Sequence, residues 1–179
     1  TYLGSKLGED YLAVNAILMQ FIILAAFFLD AYAFSTEGIV GFTLGKRNEK
    51  SFSLVVKNSI QLSFFTALII SIFYLIFFKQ IINIITDIDI IRFISYKHAL
   101  WIIMIPPIAS FCYQLDGIFI GASQTRDMRN GMMFSVACFI VISIYSTKYF
   151  GNHGLWFSLL LFTVLRSLTL RYFLNNILK

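Results

Sequence analysis

The sequence predicts an all-α fold, a polytopic membrane helix bundle with about five transmembrane helices. Three observations lead there. Hydrophobic residues make up 59% of the chain and charged ones only 13%, against about 45–50% and about 25% in soluble domains. The apolar residues fall in runs long enough to cross a hydrocarbon core about 30 Å thick, which takes about 20 residues at 1.5 Å each. Between the runs lie short polar or glycine-bearing segments. The 20 Phe and 9 Tyr suit a lipid-facing surface with interfacial anchors.

Thr1 to Asp10 (TYLGSKLGED) reads as a polar loop. With no initiator Met or signal peptide before it, the chain is expected to be a piece of something longer. The first span covers residues 12–44. At about 50 Å it exceeds the bilayer core, so it is expected to tilt, bend or protrude. GKRNEK (Gly45 to Lys50) ends it with glycine and a basic cluster. The second span covers 51–78, with Lys57, Asn58 and Gln61 in its opening turns and nearly pure hydrocarbon after them. Residues 79–97 (KQIINIITDIDIIRFISYK) are apolar but dotted with charge, and are expected to form an interfacial connection. The third span, 98–123, contains Pro106-Pro107, which predicts a kink inside a bundle where neighbours satisfy the freed carbonyls. The fourth covers 131–150. GNHG (Gly151 to Gly154) makes a tight turn, and the fifth span covers 155–174.

Lys and Arg near the span ends set the orientation. Lys46, Arg47, Lys50, Lys57, Arg126, Arg129, Arg171 and Lys179 fall on one side, and Lys6, Lys79, Arg92, Lys97 and Lys148 on the other. The larger set belongs in the cytoplasm, which places the N-terminus outside and the C-terminus inside. The net charge of +5 is spread over separate loops with no basic stripe, which argues against a nucleic-acid partner. Cys112 and Cys138 sit in apolar spans without metal or CxxC spacing and are expected to be packing residues.

A charged side chain at mid-bilayer costs about 2.5–3.5 kcal/mol on insertion scales and usually marks an ion or substrate pathway. Asp116 is the foremost such residue, about five positions past the middle of the third span. Asp30 and Glu37, seven apart, share one face of the first span, with Asn15 and Gln20 upstream. A row of these would be expensive against lipid, so they are expected to face the bundle interior. The alternative is that Asp30 and Glu37 lie near the headgroups at the far end of the span. A bound proton is the other means of neutralising such a group. Tyr113 and Gln114, just before Asp116, are candidate cavity-lining residues, as are Gln20 and Asn15. Arg166, midway along the last span, is expected to snorkel toward the headgroups, the alternative being a pair with one of the carboxylates. Gly41-x3-Gly45 and Gly117-x3-Gly121 have the spacing for close helix approach. His98 and His153 are expected at the interface, without a ligand role. No GxSxG, HExxH, Walker or GxGxxG motif is present, so no enzyme is expected. An intramembrane aspartyl protease would have only Asp30 and Asp116 to use, without the flanking glycines.

At QLDGIFIGASQTRDMRN (Gln114 to Asn130) the chain resembles the DinF-like branch of the MATE (multidrug and toxic compound extrusion) efflux transporters. The likeness extends to LAVNAILMQFIILAAFFLDAYAFSTEGIVGFTLGKRN (Leu12 to Asn48) and GNHGLW (Gly151 to Trp156). It implies a twelve-helix carrier of two six-helix lobes, of which this chain supplies helices eight to twelve of the C-terminal lobe, Thr1 and Tyr2 closing helix seven. It implies an antiporter in the cell (inner) membrane that exports organic cations, drugs and other amphipathic compounds, driven by inward H⁺ or Na⁺. The carboxylate matching Asp116 would help form the cation site, with Asp30 and Glu37 as further coupling candidates. No cofactor is implied beyond the coupling ion, and no metal beyond a Na⁺ at Asp116. The implied partners are the N-terminal lobe, membrane lipids and the exported compound. Because a repeat-built carrier binds substrate at the repeat interface, these five helices are not expected to transport alone. The alternatives are a lipid-linked oligosaccharide flippase of the same superfamily, which a strongly cationic cavity would favour, and a truncated, non-transporting remnant.

Overall fold

A computed structural model describes residue 4 and residues 6–174; Thr1, Tyr2 and Lys179 lie outside the described residues. These residues form α1 (Glu9–Gly45), α2 (Glu49–Ile85), α3 (Asp89–Gly121) and α4 (Thr125–Leu174). All four are long and apolar enough to cross a membrane. The chain is an all-helical, multi-pass membrane protein, with Phe27, Phe34, Phe65, Ile69 and Leu75 among the large apolar side chains turned outward.

Each boundary has a local cause. α1 stops at Gly45, Arg47 turns with φ 51°, and the Asn48 side chain accepts the Ser51 N–H at 3.0 Å to start α2. α2 does not give way to an interfacial connection at Lys79 as the charge pattern suggested. It continues to Ile85, and α3 begins at Asp89. Arg92 explains the difference. Its Nε donates to the Thr86 carbonyl at 2.7 Å, and its Nη2 donates to the Asn83 carbonyl and to Asp87 Oδ1, each at 3.0 Å. The charges in this segment therefore cap a tight helical hairpin. α3 remains helical through Pro106 and Pro107.

α4 reverses on itself. Gly151 has φ 56° and ψ −135°, a combination open to glycine and strained for any side chain. Phe139 and Phe162 meet edge to face with ring centroids 5.8 Å apart, whereas an unbroken helix would separate them by about 35 Å. Ser146 Oγ, 2.9 Å from the Gly154 carbonyl and 2.7 Å from Ser158 Oγ, ties the two arms near the turn.

α3 packs against α1, α2 and α4, and α1 packs in addition against α2. Two apolar clusters form the core. One gathers Val14, Leu18, Phe21, Tyr74, Phe78, Ile82, Ile102 and Ile105; the other gathers Val40, Phe52, Leu115, Ile118, Phe119 and Leu170. Between them along α1 and α3 lies a polar layer containing Asp30, Thr36, Gln114 and Asp116. The α1–α3 seam is close because a Cβ on Gly117 would collide with the Ala33 carbonyl, and one on Gly121 with that of Glu37. Gly41 faces the Gly121 carbonyl, but Gly45 has nothing near it and serves only to end α1.

Gly117→Val should therefore destabilise the full-length protein by about 1–3 kcal/mol, the usual penalty of overpacking. Gly45→Ala should fall within about 0.5 kcal/mol of the parent. Thermal unfolding of the purified protein in detergent distinguishes the two, and equal midpoints would contradict the seam.

Candidate functional site

Because α1 and the C-terminal arm of α4 both lean on α3 without close backbone contact to each other, a cleft opens between them. It has two chambers. The larger, about 410 Å³, is lined by Leu12, Asn15, Met19 and Gln20 of α1 and by Phe139, Trp156 and Leu159 of α4. The smaller, about 180 Å³, is walled by Met19, Ala26, Leu29, Pro106, Phe162 and other apolar side chains, and holds Tyr113, Asp116 and Arg166. Met19 and Leu159 belong to both.

In the smaller chamber Arg166 Nη2 donates to Asp116 Oδ2 at 2.7 Å, each side chain about one-fifth exposed (18% and 19%). Arg166 thus pairs with a carboxylate instead of snorkelling to the headgroups. It sits at the depth of Asp116 on the facing arm, and pairing removes two charges from hydrocarbon at once. The pair is incomplete, since Asp116 Oδ1 and Arg166 Nε are buried without a partner. Asp30, half-buried on α1, lies within Coulombic range of Asp116. It has no ion pair or hydrogen bond among the described residues. The chamber itself holds one carboxylate and one guanidinium; Asp30 does not line it but adds a second carboxylate within electrostatic reach.

The remaining expected residues divide. Tyr113 and Gln20 line the cleft. Gln114 does not. It is fully buried in the α1–α3 seam, where Thr36 Oγ1 donates to its Oε1 at 2.9 Å. With Gly117 and Gly121 it occupies the stripe of α3 that faces α1, not the stripe that faces α4. Glu37 stands on α1 against the Gly121 end of α3, half-buried and outside both chambers. Asn15 borders the larger chamber but its amide is committed. It exchanges hydrogen bonds with Asn152 at 2.7 and 3.0 Å and accepts from Trp156 Nε1 at 2.9 Å.

That amide pair opens a wider polar network. His98 is buried within the bundle. Its Nδ1, 2.8 Å from the Ile94 carbonyl, donates there, and Nε2 accepts from Asn152 Nδ2 at 3.1 Å. The rings of His98 and His153 stack at 4.2 Å, and Trp101 Nε1 donates to His153 Nδ1 at 3.0 Å. The network binds the Gly151 turn to α1 and α3. The available signal was the clustering of amide, imidazole and indole in GNHGLW, level with the first turns of α1. Among the described residues no three His, Cys, Asp or Glu side chains gather to hold a metal ion.

Compared with known proteins, residues 1–147 match the MatE family profile. The chain is 35% identical over 170 residues to DNA damage-inducible protein F of Escherichia coli (strain K12), covering 95% of this chain and 37% of that protein. It thus spans little more than a third of the length of that relative. No solved structure matches it.

Asn152→Leu strands Asn15 and His98, each loss costing about 1–3 kcal/mol. In the full-length protein its unfolding midpoint in detergent should drop well below that of His153→Gln, which removes one exposed acceptor. Comparable midpoints would mean that the network does not anchor the turn.

Proposed function

The chain belongs to the MATE family, and from that membership we propose that it forms the C-terminal lobe of an ion-coupled antiporter. The carrier exports organic cations, drugs or other amphipathic compounds across the cytoplasmic membrane, with H⁺ or Na⁺ moving inward. The proposal adds an N-terminal lobe as the second wall of the transport path, and a cytoplasmic C-terminus, which the eight-to-five distribution of basic residues favours.

The observation that carries this reading is Asp116 in an apolar cleft between α1, α3 and α4, with one carboxylate oxygen unpartnered. A carboxylate in such a place is held at a cost that a purely packed bundle has no use for. It attracts one cation at a time, because binding a proton or Na⁺ removes the charge that would hold a second. Exchange follows from that exclusivity: a coupling ion arriving from one side displaces an organic cation carried from the other. The apolar walls of the chambers suit the hydrocarbon part of an amphipathic compound, and Gln20 and Tyr113 supply neutral polar contacts. Asp30 strengthens the negative potential. Two carboxylates against one guanidinium do not make the cationic surface a flippase for an anionic lipid-linked sugar would use.

Asp116→Asn in the full-length protein should cut substrate-stimulated proton or sodium flux in proteoliposomes by at least about tenfold, about 1.4 kcal/mol, with membrane insertion unchanged. Undiminished flux would remove Asp116 from the mechanism.

A further inference from the structure

Among the described residues two arginines pair with aspartates, and they differ in kind. Arg92, at the α2–α3 turn, places Nε on the Thr86 carbonyl, and Nη2 on the Asn83 carbonyl and Asp87. Nη1 lies 3.7 Å from Asp89 Oδ1. Its guanidinium is used on every side, as expected of a residue that holds a turn together. Arg166 has one contact, Nη2 to Asp116 Oδ2, and its Nε is buried with nothing to receive it. Asp116 Oδ1 opposite is likewise bare. A buried pair stabilises a bundle only when its remaining donors and acceptors are satisfied, and this one leaves a donor and an acceptor unused. It also bridges α3 to the C-terminal arm of α4 at the wall of an open chamber, where something else can approach the carboxylate.

We propose that Arg166 is a tethered counter-ion that competes with the transported organic cation for Asp116. With the site empty, the guanidinium covers Asp116 and spares the bilayer a bare carboxylate. A cationic substrate takes its place, helped by the excess negative charge that Asp30 contributes, and Arg166 returns as the substrate leaves. The arginine thereby sets how tightly cations are held and keeps the carboxylate from retaining them. This inference rests on the export reading above, since it takes Asp116 as the cation site. Arg166 is a specificity-determining residue in this scheme, acting through Asp116.

The test uses ethidium, a fluorescent organic monocation, titrated into the purified full-length protein in detergent. The variants are Arg166→Gln, Asp116→Asn and the double substitution. Freed of its competitor, Arg166→Gln should bind ethidium about tenfold more tightly than the parent, within the usual range of coupling between competing ligands. Asp116→Asn should bind it weakly, and the double variant should match Asp116→Asn, the gain vanishing with the carboxylate. Unchanged or weaker binding by Arg166→Gln would overturn the proposal. So would a gain that persists in the double variant, because Arg166 would then act by general charge and not by occupying Asp116. If Arg166→Gln does not yield folded protein, Arg166→Lys keeps the charge without the planar fork. It should show a smaller gain that Asp116→Asn abolishes, and no gain would overturn the proposal equally. Equal ethidium binding by the parent and Asp116→Asn would instead sink the export reading at its cation site. Loss in Asp116→Asn with no change in Arg166→Gln would sink only the competition.

Discussion

Polar atoms carried into hydrocarbon must find partners inside the bundle, and three of those on α3 decide what stands against it. Water is absent to satisfy an amide, a carboxylate or an imidazole at that depth, so each one dictates what must stand opposite. Gln114 requires Thr36 across the α1–α3 seam, Asp116 requires Arg166 across the α3–α4 contact, and His98 requires Asn152 from the hairpin turn. Three polar positions on one helix thus fix where its neighbours lie. The two apolar clusters fill the remaining space around these positions.

These three pairings differ in completeness: the Gln114 amide leaves its Nε2 without a partner, as the ion pair leaves two atoms, while the turn network is closed. At the Gly151 turn, Asn15, Asn152, His98 and Trp156 satisfy one another, and the larger chamber ends against a closed network. In the smaller chamber the ionic pair leaves Asp116 Oδ1 and Arg166 Nε unused. Other buried polar atoms, such as Gln114 Nε2, also lack a partner; what sets the ion pair apart is the open chamber beside it, through which another partner can reach Asp116.

Much of the architecture was legible from hydrophobicity, because in a bilayer each crossing must be a long apolar helix and the turns are marked by Gly45, the Gly151 pair of glycines and clustered charge. Asp116 stood out for the same reason, as an ionised group where lipid should be. What hydrophobicity could not supply was partner choice. Whether Arg166 snorkels or pairs depends on whether Asp116 stands at its depth on a helix 50 positions away, and no local pattern encodes that. The sequence likewise could not tell which stripe of α3 Gln114 occupies, since adjacent positions on a helix point about 100° apart and α3 is contacted on three sides. In the segment 79–97 the charge pattern did not foretell two helix ends joined by a tight turn, because Arg92 spends its donors on turn carbonyls.

Met19 and Leu159 form the partition between the two chambers, one an unbranched thioether with three rotatable bonds, the other a branched aliphatic. A doorway made of such side chains opens by rotamer change, on the picosecond to nanosecond scale of individual side-chain motion, not on the microsecond to millisecond scale of helix displacement. Occupants of the two compartments can therefore equilibrate long before the backbone rearranges. Displacement of the helices is the slower motion, and the threshold between the rooms is the quick one.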